Sequence, residues 1–195
     1  MKRNTGFIVL AVAMSGLAAC AKQAPVAAAP AAPPPEQFKL AASVLDLMLG
    51  QIDPAADAVW DSVAISSSAK GPIEKKPQTD AEWKALRLEA LRLIEATNLL
   101  QMEGRQVALP GQDLEEPATD GVLTPAQSQA AIAANRQTFI AFARALQDSA
   151  LLALAAIDKH DSDALLEVGG IIDEACEQCH KQFWYPDQPA AVAAR

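Results

Sequence analysis

The stretch "EACEQCHKQFWYP" (174–186), close to the C-terminus, places two cysteines and a histidine within five positions. Cys176, Cys179 and His180 are two of the three cysteines and one of the two histidines in a chain of 195 residues. A C-x-x-C-H string is a specific chemical signal rather than a by-product of composition. The chemistry that it indicates depends on the fold around it.

A helix leads into this motif. Apolar residues between Leu165 and Phe183 recur at steps of three and four, which predicts a final amphipathic helix. Asp161 or Ser162 is expected to begin it, and Pro186 to end it.

An earlier helix is predicted near the N-terminal end of the domain. Apolar residues between 40 and 59 follow helical spacing, and Asp53-Pro54 either kinks this helix or starts a second segment. The polar sequence at 66–78 then predicts a loop.

Two capping signals mark the helices between. Thr79 with Glu82 forms a capping box, and Thr124-Pro125 with Gln127 repeats the same signal. Four amphipathic helices without convincing strand alternation predict an all-α fold, an up-down-up-down four-helix bundle. We expect this domain to cover residues 36–186 and to leave 187–195 as a C-terminal tail.

The N-terminus reads as an export signal. Lys2 and Arg3 precede a short apolar run, which predicts a signal peptide over 1–19. The sequence Leu17-Ala18-Ala19-Cys20 resembles the lipobox of bacterial lipoproteins, which implies lipidation at Cys20. The alternative interpretation is an ordinary signal peptide followed by an incidental cysteine. Residues 20–35 are rich in alanine and proline and predict a semi-stiff tether on the order of 35 Å long.

The charge of the chain excludes one class of partner. The formal net charge is −8, and removal of 1–19 takes away Lys2 and Arg3 but no acid, which leaves −10. An acidic chain without a basic patch is a poor candidate for nucleic-acid binding.

Three chemistries use a close pair of cysteines. Zinc needs four ligands, and the only other histidine, His160, lies about 30 Å from His180 along the predicted helix. A thioredoxin-type pair is expected after a strand, and this motif is in a helix. Covalent attachment of one haem c through Cys176 and Cys179, with His180 on the iron, agrees with both the helical context and export.

A C-terminal C-x-x-C-H on the last of four helices resembles the cytochrome c′ family, the class II c-type cytochromes. The resemblance spans about 36–186 and is most specific at "ACEQCHKQF". It implies thioether bonds at Cys176 and Cys179 and a proximal iron ligand at His180. One departure is that Trp184 stands where gas-binding members commonly have a basic residue.

The sixth iron position is the main choice within that family. Met48 and Met102 are the only methionines left after loss of the signal peptide. Bundle geometry puts Met48 at a level about 9 Å from that of His180, so Met48 is the expected distal ligand. The alternatives are Met102 as the ligand and an open sixth position. If the position is open, Met48 is an ordinary core residue.

Four other residues are weaker candidates. Trp60 and Trp83 either line the haem pocket or pack in the core, and Arg105 either pairs with a propionate or is a solvated surface residue. His160 is expected to be exposed at the start of the last helix.

The long connection 104–124 is expected at the haem end of the bundle. It contains the acids Asp113, Glu115, Glu116 and Asp120, and it either frames the haem edge for partner docking or is a solvated connector.

These features together predict a periplasm-facing, lipid-anchored c-type cytochrome of a Gram-negative bacterium, leaning towards the outer membrane. We expect one-electron transfer, without enzymatic activity, to redox partner proteins of the periplasm or membrane. A homodimer is left open. The alternatives are a five-coordinate haem protein that binds nitric oxide and a scaffold with a structural haem.

Overall fold

The computed structural model describes residues 38–114 and 121–186. The predicted signal peptide, Cys20, the tether and the tail lie outside the described residues, as do Glu115, Glu116 and Asp120.

The described chain is mostly helical, as predicted, with one small two-stranded sheet. The elements in chain order are α1 (Val44–Leu47), a π-helical segment (Met48–Ile52), α2 (Asp53–Trp60), β1 (Ala64–Ser68), β2 (Gly71–Lys75), α3 (Asp80–Leu100), α4 (Pro125–Ala134), α5 (Arg136–Asp158) and α6 (Ser162–Phe183).

Three predicted helix starts are confirmed. The Thr79 hydroxyl accepts a hydrogen bond from the Glu82 amide, and Thr124 caps α4 in the same way. Asp161 is the N-cap of α6, where its carboxylate accepts from the Ala164 amide at 3.0 Å. Each cap satisfies an amide that has no partner within the helix.

The prediction of a loop over 66–78 is wrong in part. β1 and β2 form an antiparallel hairpin in which Ser68 is opposite Gly71, and Gly71 adopts a positive φ of 112°. The hairpin has no buried residue. Strand alternation depends on one buried face, so these strands left no period-two pattern in the sequence.

The first helical stretch is continuous through Pro54. The chain passes from α1 through the π-helical segment into α2, and the Asp53 amide donates to the Met48 carbonyl, five residues earlier. The missing N–H of Pro54 removes a bond that an uninterrupted α-helix would make to Gly50. The helix therefore continues through Pro54. Over Met48–Ile52 its hydrogen bonds follow the wider π-helical turn.

The third predicted helix is divided in two. Asn135, with φ −128° and ψ 40°, separates α4 from α5, and its side-chain amide donates to the Ala131 carbonyl at 3.1 Å. Arg136 donates to the Gln101 carbonyl at 2.7 Å, so the break lies against the end of α3.

Helix α3 runs antiparallel to α5. Arg87, near the start of α3, pairs at 2.7 Å with Asp158 at the end of α5. At the opposite end, Arg136 at the start of α5 contacts the residue that caps α3, Gln101.

Helix α6 also runs antiparallel to α5, because Phe139 near the start of α5 contacts Phe183 at the end of α6, ring to ring, at 5.5 Å. The first helical stretch lies against α6 through the Trp60 indole, which donates to the Gly169 carbonyl at 2.8 Å. Buried alanine, leucine and isoleucine residues fill the space between these helices.

The segment after α3 closes over the start of α1. The amides of Val44 and Leu45, which lack partners within the helix, donate to the carbonyls of Gln106 and Val107 at 2.8 and 2.9 Å. The Gln112 side chain donates to Asp46 at 2.7 Å. These bonds hold this part of the 104–124 connection beside the first helix.

Of the described helices, α5 has the length and composition that a membrane span would need. In its most apolar 18-residue window, 39% is buried inside the protein. The helix packs against both α3 and α6, as a core helix does.

Candidate functional site

The last two turns of α6 carry the cysteine–histidine motif. Cys176, Cys179 and His180 are spaced i, i+3 and i+4, which places them on one face of the helix. All three side chains are half-buried, and the two thiols are free.

That face borders a cavity of about 90 Å³. Cys179, His180, Phe183 and Trp184 form the wall from α6. The other lining residues come from the first helix, the 104–124 connection, α4 and α5: Val44, Leu45, Met48, Leu49, Asp53, Val107, Leu114, Ser128, Ile132 and Phe139.

A second cavity, of about 20 Å³, lies next to the first. Five residues line both: Met48, Asp53, Phe139, Cys179 and His180. Cys176 lines the second cavity only. The two thiols, the imidazole and the Met48 side chain therefore share one mostly apolar space between the first helix and α6.

Burial keeps the motif uncharged. It raises the pKa of the Cys176 thiol to about 12, with a further contribution from the charge of Asp53. It also raises the pKa of Cys179 to about 12. Burial lowers the pKa of His180, against an opposing effect of Glu177. At neutral pH the site presents two neutral thiols and a neutral imidazole.

A carboxylate lies behind the motif. Glu177 accepts a hydrogen bond from the Tyr185 hydroxyl at 2.6 Å and pairs with Lys181 at 3.1 Å. Burial by itself would raise the pKa of Glu177, but these two partners hold it below its ordinary value. Lys181, the cation closest to the motif in sequence, is thus already engaged.

The structure brings Met48 to the motif and leaves Met102 away from it. Met48 lines both cavities, whereas Met102 lines neither. The Met102 sulfur is 3.4 Å from a guanidinium nitrogen of Arg105. Arg105 also donates to the carbonyls of Leu99 and Ala42, so it is a partly buried bridge between segments rather than a solvated surface residue.

The other aromatic candidates lie away from both cavities. Trp60 is bound to Gly169, and Trp83 is buried and stacks on His160 with ring centroids 4.7 Å apart. His160 is exposed just before α6, as predicted, with a φ of 54°.

The 104–124 connection contributes to the site through apolar residues. Val107 and Leu114 are buried and line the larger cavity. The connection therefore lies at the end of the protein that carries the cysteine–histidine motif. Of its four acids, only Asp113 lies in the part that the structure describes.

Three polar residues of the cavity wall were missed as site residues: Asp53, Ser128 and Trp184. The Ser128 hydroxyl and the Trp184 indole nitrogen are buried without a hydrogen-bond partner in the structure. The spacing of Ser128 four residues before the buried Ile132 was a usable signal, since it puts a polar group on an apolar helix face. Trp184 was noticed only as a departure from a family pattern.

Within residues 38–114 and 121–186, no three His, Cys, Asp or Glu side chains are grouped so that they could hold a metal ion. Comparison with known proteins adds no assignment: no family model, curated protein or solved structure matches the chain.

Proposed function

We propose that this protein is an exported c-type cytochrome that carries one electron, with a single haem c attached to the end of α6. The observation that carries the proposal is the shared apolar space bordered by Cys176, Cys179, His180 and Met48. The fold that we assign to it is an up-down-up-down four-helix bundle, with α1 to α2 as the first helix and α4 to α5 as the third.

The residues present fit a haem. The two adjoining cavities have walls made mainly of aliphatic and aromatic side chains. Two buried polar atoms of the larger cavity, on Ser128 and Trp184, lack partners within the protein. Such atoms are expected where a polar group of a ligand completes the site.

Each motif residue has a distinct part in holding the cofactor. The S–H group of each cysteine would add across one vinyl C=C bond, which forms one C–S bond and one C–H bond and consumes no oxidant. His180, neutral at physiological pH because of its lowered pKa, offers an imidazole nitrogen to iron. When bound, the haem supplies exchange of one electron between iron(III) and iron(II).

The alternative uses of a cysteine pair are less well supported. A structural zinc site needs four ligands, and the described residues offer no such group. A redox-active dithiol depends on a lowered thiol pKa, whereas burial raises the pKa of both cysteines here.

Met48 is the proposed sixth ligand. It lines both cavities together with His180, whereas the sulfur of Met102 contacts Arg105. Ligation by histidine and methionine favours reduced iron and leaves no open site for substrate.

The experiment is an optical spectrum of the purified haem-loaded protein. We expect low-spin bands in both oxidation states and, in the oxidised protein, a weak methionine-to-iron charge-transfer band at long wavelength. A high-spin spectrum would reject Met48 ligation in favour of the five-coordinate protein that binds nitric oxide. A reduced protein that exchanges no electrons with small-molecule mediators would favour the alternative of a scaffold with a structural haem.

Export and anchoring belong to the same proposal. Leu17-Ala18-Ala19-Cys20 and the proline-rich spacer support a lipid anchor on the periplasmic side of a Gram-negative membrane, with the outer membrane favoured because Ala21 follows the cysteine. The partners would be redox proteins of the periplasm or membrane. Wild-type protein should sediment with membranes, and a Cys20→Ser variant should be soluble. Wild-type protein found wholly in the soluble fraction contradicts the anchor.

A further inference from the structure

Two unsatisfied hydrogen-bond donors face the same cavity from different helices. The Ser128 side chain on α4 is only 2% exposed, and the Trp184 indole nitrogen at the end of α6 is fully buried. A buried donor without a partner is costly, so two in one cavity wall indicate a polar partner that the protein itself does not supply.

The fold brings together the two helix ends that carry these donors. The Leu123 amide, just before α4, donates to the Trp184 carbonyl at 2.7 Å, which fixes the start of α4 against the end of α6. The Trp184 ring meets the His180 ring edge to face, with centroids 4.9 Å apart and an interplanar angle of 86°. The Trp184 ring therefore contacts the proposed iron ligand, and Ser128 is on the adjoining helix.

We propose that Ser128 and Trp184 donate hydrogen bonds to the carboxylates of the bound haem. This inference rests on the proposed function and adds a recognition role for two residues outside the C-x-x-C-H motif. Both thiols line the smaller cavity, and only Cys179 reaches the larger one. The vinyl and propionate groups occupy opposite halves of the macrocycle, so a haem attached through these two thiols would direct its carboxylates away from Cys176 and towards the larger cavity.

The chemistry of the wall favours neutral donors for these carboxylates. Among the described residues that line the larger cavity, none is lysine or arginine, and Asp53 is acidic. Lys181 is paired with Glu177, and Arg105 donates to backbone carbonyls. A carboxylate only accepts hydrogen bonds, which matches an indole N–H and a serine hydroxyl. Hydrogen bonds to a charged acceptor are also the stronger kind.

Infrared spectroscopy of the full-length, haem-loaded protein tests this inference. The haem carboxylates are labelled with carbon-13 through a labelled biosynthetic precursor, and their stretching bands are read in wild type, Ser128→Ala and Trp184→Phe. We expect a band shift in each variant and a larger shift in the double variant.

Two matched controls remove a hydroxyl and an indole elsewhere. Ser149 is equally buried but donates to the Leu146 carbonyl, and Trp60 donates to Gly169. Ser149→Ala and Trp60→Phe should leave the carboxylate bands unchanged. Bands that do not move in Ser128→Ala and Trp184→Phe, with haem retained, overturn the inference and leave a buried water as the partner.

A measurement on the wild type covers the case in which a variant fails to fold. Nitrogen-15 NMR of the three tryptophan indoles in the reduced protein should place the Trp184 N–H at a hydrogen-bonded shift. A Trp184 resonance at the position of a free indole also overturns the inference. Absence of haem from the wild type would instead reject the proposed function, so the two failures are distinguishable.

Discussion

Replacing Gly169 tests the contact that places the first helix against α6. A Cβ atom at this position would lie 2.8 Å from Trp60 Cδ1 and 3.1 Å from its Nε1, closer than van der Waals contact allows. Gly170, the next residue, has no such neighbour within 4 Å. The two glycines share one helix and differ in what a methyl group would meet.

The magnitudes decide the direction of each change. Alanine gains about 1 kcal/mol over glycine in a helix interior. At Gly169 this gain is opposed by overpacking, which costs about 1–3 kcal/mol. Displacing the Trp60 indole also loses its hydrogen bond, worth about 1 kcal/mol. We therefore expect Gly169→Ala to lower the free energy of unfolding by about 1–3 kcal/mol, and Gly170→Ala to raise it by up to about 1 kcal/mol.

Urea denaturation followed by circular dichroism gives both values. A Trp60→Ala background should remove most of the cost of Gly169→Ala, because the clashing ring is then absent. If Gly169→Ala is as stable as Gly170→Ala in the wild-type background, Trp60 is not packed as described. The contact between the first helical stretch and α6 would then lose its support.

The remaining predictions concern the iron ligand, a helix cap and a charge. Met48→Leu should change the free energy of unfolding by less than about 1.5 kcal/mol yet abolish the charge-transfer band in the optical spectrum. Met102→Leu should keep the band. Loss of the band in Met102→Leu alone would reverse the assignment. Thr79→Ala should destabilise the protein by about 1 kcal/mol in urea denaturation because the Glu82 amide loses its acceptor, and an unchanged midpoint would count against the cap. The pKa of Glu177 lies below its ordinary value of 4.5 in the folded protein, so its stabilising effect is present above that value and lost as the pH falls through the folded pKa. Glu177→Gln should therefore be less stable than wild type near neutral pH and approach it in acid, and a gap that is constant with pH would refute this.

Local signals in the sequence were enough for most helix boundaries. Caps at Thr79, Thr124 and Asp161 depend on a side chain and an amide three residues away, so tertiary structure is not needed to read them. The position of Met48 followed from helix order and rise per residue, and the structure puts it in the same cavities as His180.

Other features depended on contacts that the sequence does not display. The hairpin at 64–75 has no buried face, so its strands gave no alternation. The break at Asn135 lies where Arg136 reaches the end of α3, a contact between residues far apart in sequence. Ser128 and Trp184 became candidates only when both were found without partners in one cavity wall.

Covalent attachment of haem is the central claim, and mass spectrometry of the denatured protein tests it most directly. The protein is expressed with a c-type maturation system, unfolded in acid, and weighed intact and after proteolysis. We expect the chain to be heavier by one haem, with the added mass on the peptide that contains Cys176 and Cys179, and a variant with both cysteines replaced by alanine to have the mass of the polypeptide alone. Wild-type protein that has lost all haem colour and mass on unfolding would contradict the account.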